Sequence, residues 1–365
     1  MPAICWGSTW VLYPHDGENP RHMSLQRITD PQSIDEGLIA GLLANGAQRV
    51  VLQFSKESAY SVSILEDVNT ACRKFGVKVN IRFWGHYGSQ FDCGHLRHIP
   101  EVCSLNLDCL AGISNFDQIA QLDHLEEFAF GVFESDLPDI LKTPSLFGVR
   151  SLILAESRKN NIDLAPLAGY ERLETLFLNS QKRNIEAVGR LHSIRKLSLS
   201  SIAKSQSLTF VGRLHGLTTL TLLLGGRNDL EELAHGGIKN LEVLRVRGIN
   251  AIDLALFPKI ENFRVEDELQ LQKLNLDGCP KLQWLSIWNC KTFSALQGMR
   301  HAHHLEYLFI GKTAIEPSAF FRELPDGLKN LSLTGYGKRK DDELRHRVES
   351  LGYAPAKYLQ DLSHR

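Results

Sequence analysis

The chain has 365 residues, 43% of them hydrophobic and 23% charged, the proportions of an ordinary folded protein with enough apolar material for a continuous core. A formal net charge of −1 disfavours nucleic acid and anionic membrane surfaces as partners, because such binders carry a basic excess. No apolar run reaches the roughly 18 residues of a membrane span, the first residues carry neither a basic leader nor an apolar segment, and seven cysteines (5, 72, 93, 103, 109, 279 and 290) form an odd, unpatterned set; a reduced, cytoplasmic chain is expected.

Residues 1–100 alternate helix and strand signals. Residues 35–45 read as a helix stopped by Gly46 and followed by a strand at 49–54; residues 63–75 read as a second helix, stopped by Gly76 and followed by a strand at 77–83. Val50 and Val79 mark strands 29 residues apart, with the next at Leu105. Units of this length are expected to be atypical caps at the head of a solenoid. His86, Cys93, His95 and His98, with Cys103 and Cys109 beyond, are close enough in sequence to suggest zinc, but their spacing matches no paired-ligand pattern, and neither metal nor other cofactor is expected. An enzyme site around Trp10, His15, His86 and His95 is the catalytic alternative. The segment holds no phosphate-binding glycine loop, nucleophile elbow or zinc-protease pair, so a non-enzymatic chain is the reading preferred.

Between residues 102 and 333 one frame recurs eleven times: an apolar residue, two variable, an apolar, a variable, an apolar. Its first positions are Val102, Leu125, Val149, Leu173, Ile194, Leu217, Leu241, Ile260, Leu282, Leu305 and Leu328. A period near 23 residues marks a solenoid whose units bury their apolar faces only by stacking. The second and third apolar residues are two apart, as in Leu176 and Leu178, which gives one short strand per unit. Between strands the apolar spacing lengthens, and Pro166 forbids a long helix, so the return path is expected to be extended or 3₁₀-like. Leu271, Leu274 and Leu276 also fit the frame only eleven residues from each neighbour, which leaves the register between 260 and 282 open.

This frame resembles the leucine-rich-repeat family, and residues 161–178 look most like the 22-residue class of internalin-like proteins. The resemblance implies an α/β solenoid, curved, with a parallel sheet on the concave face, and a binding role. It covers 101–336, between the α/β capping units of 1–100 and a C-terminal helical cap at 337–365, where residues 341–351 read as a polar helix ended by Gly352.

Alternate strand residues face opposite ways, so the third, fifth and seventh residues of each unit project from the sheet face away from the core. Early units offer small or polar residues there. Later ones offer Arg245, Arg247, Arg264, Glu266, Trp284, Trp288, Tyr307 and Phe309, with Arg245 expected beside Arg264, Trp284 beside Tyr307, and Trp288 within reach of both rings. Arginine, tryptophan and tyrosine carry much of the binding energy at protein interfaces. The expected partner is another protein, with an acidic surface if the arginines meet it. From the resemblance alone, the role narrows to a cytoplasmic inhibitor such as an immunity protein. The alternative is a receptor that stacks a small anionic or aromatic ligand, a nucleic acid or a glycan.

Overall fold

The computed structural model describes residues 24–358, and Trp10 and His15 lie outside the described residues. The chain divides into two compact units, one ending at Asn184 and the other beginning at Ile185.

In the first unit the strands Ser24–Thr29, Ala47–Phe54, Val79–Gly85, Ser104–Cys109, Glu127–Phe130, Ser151–Leu154 and Thr175–Asn179 pair in that order, all parallel. Parallel neighbours need crossovers, and two are helices. Glu36–Ala44 is capped by the Asp35 carboxylate, which accepts from the Leu38 amide at 3.1 Å. Val62–Phe75 is capped by Ser61 and buries Leu65, Val68, Ala71 and Cys72, a stripe at helical spacing. It ends at Gly76 with φ 55°, a left-handed position that a Cβ would strain. Val50 pairs with Val79 as the spacing predicts, but Leu105 pairs with Ile81. Residues 76–78 form a 3₁₀ turn, so this strand starts two residues later than expected. The remaining crossovers are short 3₁₀ turns such as Ala165–Gly169, where Pro166 sits in the first turn.

The second unit carries Lys196–Ser200, Thr219–Leu223, Asn240–Leu244, Asn262–Glu266, Trp284–Trp288, Tyr307–Gly311, Asn330–Thr334 and Ala354–Pro355, again parallel and in order. Leu197 and Leu199, Leu241 and Val243, Phe263 and Val265, Leu285 and Ile287, and Leu308 and Ile310 all point into the core. Each unit is a leucine-rich-repeat solenoid.

One sequence expectation is corrected here, and one register left open is settled. Leu241 is not the first residue of its frame. Leu220 pairs with Leu241 and Leu241 with Phe263, so the frame begins at Ile238, which is fully buried, and the irregular steps of 24 and 19 become 21 and 22. Leu274 belongs to a second sheet. Ala251–Asp253, Lys273–Asn275 and Ala295–Gln297 pair in parallel on their own, so three repeats of the second unit carry two strands each and both frames between 260 and 282 are real.

A backbone feature fixes the strand ends. Ser201, Leu224, Arg245, Asp267, Asn289 and Lys312 each follow a strand with φ between 53° and 60°. Each donates its amide to the last strand carbonyl of the next unit: Leu223, Leu244, Glu266, Trp288, Gly311 and Thr334, at 2.8–3.0 Å. The left-handed residue thus adds one rung to every ladder and turns the chain out of the sheet. The last helix, Lys338–Ser350, buries Leu344 and Val348 and leads into Ala354–Pro355 at the sheet edge.

Candidate functional site

The corrected register arranges the outward side of the second unit in rows across strands about 4.8 Å apart. One row runs Asn240, Asn262, Trp284, Tyr307, Asn330; the next Glu242, Arg264, Ser286, Phe309, Ser332; the third Leu244, Glu266, Trp288, Gly311, Thr334. Six of the eight sequence-predicted residues occupy these rows. Arg245 and Arg247 do not: both lie beyond the strand, exposed, because the frame starts three residues earlier than its leucines suggest. Arg245 therefore pairs with Asp267 at 2.7 Å and is not beside Arg264.

Arg264 sits in the middle row, only 6% exposed. Its Nη1 lies 3.3 Å from Glu242 Oε1, and its Nη2 meets Glu266. Glu242 also accepts from Thr221 Oγ1 at 3.1 Å. Burial alone would lower the Arg264 pKa, but the carboxylates of Glu242 and Glu266, with the hydrogen bond to the Tyr358 hydroxyl, outweigh it and raise the value. The guanidinium stays charged, and its charge and that of Arg245 are matched within the chain.

The rings divide into two groups. Trp284 stacks on Tyr307 with centroids 5.7 Å apart and planes 19° apart, as the register predicts, and Trp284 is fully buried. Trp288 belongs to a different group. It packs on Phe309 at 5.7 Å and lies across Gly311, where a Cβ would come within 2.3 Å of its ring. Glycine is what lets the indole lie flat on the neighbouring strand. Lys312 Nζ stands 4.8 Å over the same ring.

The chain's own C-terminal segment reaches this surface. Beyond Ala354–Pro355, Ser332 Oγ donates to the Ala356 carbonyl at 2.8 Å, and the Tyr307 hydroxyl donates to the Lys357 carbonyl. The Tyr358 ring then packs on Trp288 at 5.3 Å and Phe309 at 5.5 Å. Its hydroxyl accepts from Arg264 Nη2 at 2.9 Å and donates to Glu266. Burial pushes the Tyr358 phenol upward, so it remains a donor to that carboxylate. Sequence reasoning missed Gly311 and Tyr358. The first was legible once Trp288 was set against its register neighbour; the second lies outside the repeat and carries no periodic signal.

The histidines and cysteines of the first unit form no comparable surface. His86 is buried, with Nε2 3.0 Å from the Tyr60 hydroxyl and Nδ1 2.9 Å from the Trp84 carbonyl; burial lowers its pKa. His95 packs on the edge of Tyr60, and burial pushes the Cys93 thiol up to about 12. Among the described residues no group of three or more histidine, cysteine or acidic side chains could hold a metal ion, and no helix is long and apolar enough to cross a membrane.

No protein-family model and no curated protein matches the chain. Solved structures do. A chain of the Toll–Spatzle complex from Drosophila is similar at 16% identity and a TM-score of 0.56, over 85% of this chain and 42% of that one. An internalin of Listeria monocytogenes gives 16% identity and a TM-score of 0.42 over 78% and 86% of the two chains. A leucine-rich-repeat protein of Leptospira interrogans gives 13% and 0.44 over 90% and 93%. At these identities the Toll–Spatzle likeness speaks to fold alone.

Proposed function

We propose that this leucine-rich-repeat chain is a non-enzymatic scaffold that recognises another protein through the sheet face of its later repeats. The observation that carries the reading is the change of residue type along one face. Ser198 and Thr221 give way to Arg264 and Phe309 in the middle row, and the flanking rows gain Trp284, Tyr307 and Trp288. The leucine and isoleucine core lies on the opposite side of the same strands; on this face Trp284 and Phe309 are buried among their neighbours, and Trp288 and Tyr307 keep part of their surface open. Tryptophan, tyrosine and arginine are the side chains that most often anchor protein interfaces. A surface ordered before contact also loses little entropy on binding.

Within this class the narrower reading is an inhibitor, of the immunity-protein kind, that neutralises its partner by covering it. A cytoplasmic setting suits the six free cysteines among the described residues, five of them buried. Internal pairing of Arg245 and Arg264 leaves apolar contact, more than attraction to an acidic surface, as the main source of affinity.

Affinity capture with the full chain tests this against a Trp288→Ala/Phe309→Ala variant whose fold is verified by circular dichroism. One protein should be retained by the wild type and reduced at least tenfold with the variant, the scale expected when two anchors are truncated. Equal retention by both would move the interface off this face.

A further inference from the structure

The C-terminal segment goes further than a cap requires. The helix Lys338–Ser350 already covers the end of the solenoid with Leu344 and Val348, and Ala354–Pro355 already pairs with the last repeat strand, Asn330 with Ala354 and Leu331 with Pro355. Ala354 and Ala356 donate to the carbonyls of Lys329 and Leu331 at 3.0 and 3.3 Å, and past Ala356 the chain leaves the edge and crosses the face. Its contacts fall on successive strands: Ser332, then Tyr307 and Phe309, then Trp288, then Arg264 and Glu266. It lies there as a peptide ligand would, held by two side chains that donate to its carbonyls and by one ring in an aromatic seat with a polar floor.

We propose that Lys357 and Tyr358 are a displaceable internal occupant of the sheet-face site, and that the external ligand is an extended segment of a partner protein presenting a tyrosine to Trp288, Phe309, Arg264 and Glu266. This rests on reading the face as a binding surface and adds the ligand's chemistry and its competitor. The seat selects tyrosine over phenylalanine because Arg264 donates to the hydroxyl and Glu266 accepts from it, and a ring without the hydroxyl leaves those groups facing an apolar edge. Past the ladder the internal segment is held only by the Tyr307 hydrogen bond and by the seat itself, and Lys357 is exposed while Tyr358 is half-buried.

Tethering makes the internal segment effective. A short linker gives an effective concentration on the order of millimolar. Since the segment is seated, the same segment supplied in trans must bind an emptied site with a Kd below about that concentration. The probe is therefore a short synthetic peptide matching residues 357–358, acetylated, amidated and carrying 3-fluorotyrosine at its last position, followed by fluorine NMR with the full-length chain. Tyr358→Ala empties the seat without shortening the protein, and hydrogen exchange in Asn330–Thr334 verifies that the repeats remain folded.

The peptide should bind Tyr358→Ala at least tenfold tighter than it binds the wild type. Its affinity should fall at least fivefold when fluorophenylalanine replaces the final tyrosine, and binding should vanish in Tyr358→Ala/Trp288→Ala. No binding to Tyr358→Ala at several times the ~1 mM effective concentration, or equal binding to both proteins, overturns the proposal. If partner capture still depends on Trp288 and Phe309 in that case, the binding function stands and only the tyrosine ligand and its internal competitor fall.

Discussion

Beside the site, Glu268 is a carboxyl group that burial has made dependent on its proton. It is 1% exposed, its Oε1 accepts from the Val246 amide at 2.6 Å, and burial pushes its pKa up to about 8 despite that hydrogen bond. The unfolded chain releases this proton near the ordinary value of 4.5, whereas the folded chain keeps it until about pH 8. Between those values the folded state binds more protons, so stability must fall as pH rises, by at most about 1.4 kcal/mol per pH unit. Below pH 4.5 both states are protonated and the effect is absent. Glu268→Gln keeps an acceptor for Val246 and has no proton to lose. Urea midpoints at pH 5 and pH 8 should show the wild type losing about 1–3 kcal/mol more than the variant over that interval, while parallel profiles would show that Glu268 ionises in the fold without penalty.

The turn after each strand sets the geometry of the elements, and it was the least legible part of the sequence. Alternating leucines announce where strands lie and which side faces the core, because burial demands period two. That signal placed ten of the eleven frames. It failed at Leu241 because Ile238, Leu241, Val243, Leu244 and Val246 are all apolar, so two frames three residues apart fit equally well. Backbone conformation decides between them: Arg245 takes the left-handed position and ends the strand. No side-chain pattern marks that position, since serine, leucine, arginine, aspartate, asparagine and lysine all occupy it. A left-handed conformation costs ordinary residues about 1–2 kcal/mol, and asparagine tolerates it best among residues with a Cβ. Leu224, with φ 60° and a side chain 37% exposed, is the place to test this. Leu224→Asn should raise stability by about 0.5–1 kcal/mol in urea unfolding. A net loss would mean that the apolar contacts of Leu224 outweigh its backbone strain.

At the scale of the whole molecule, a protein partner and a polyanion ask different things of the charge distribution. The formal net charge is −1, and the cations nearest the aromatic seat are engaged: Arg264 with Glu242 and Glu266, and Arg245 with Asp267. Lys312 lies over the ring of Trp288. A nucleic acid would have to compete for these cations before it could release its own counterions, and every phosphate neutralised would make binding steeper in salt. An apolar seat behaves in the opposite way, because burying rings draws no counterions and exposed charges are screened alike in free and bound states. Binding of the natural partner, or of the tyrosine peptide to Tyr358→Ala, should therefore change by less than about threefold between 50 and 200 mM salt. A protein making six to ten phosphate contacts would lose roughly a thousandfold or more over that range. Isothermal titration at several salt concentrations measures the slope directly. A slope steeper than about −3 in log K against log salt would assign the affinity to several phosphate contacts, and would return the chain to the class of nucleic-acid receptors that its composition argues against.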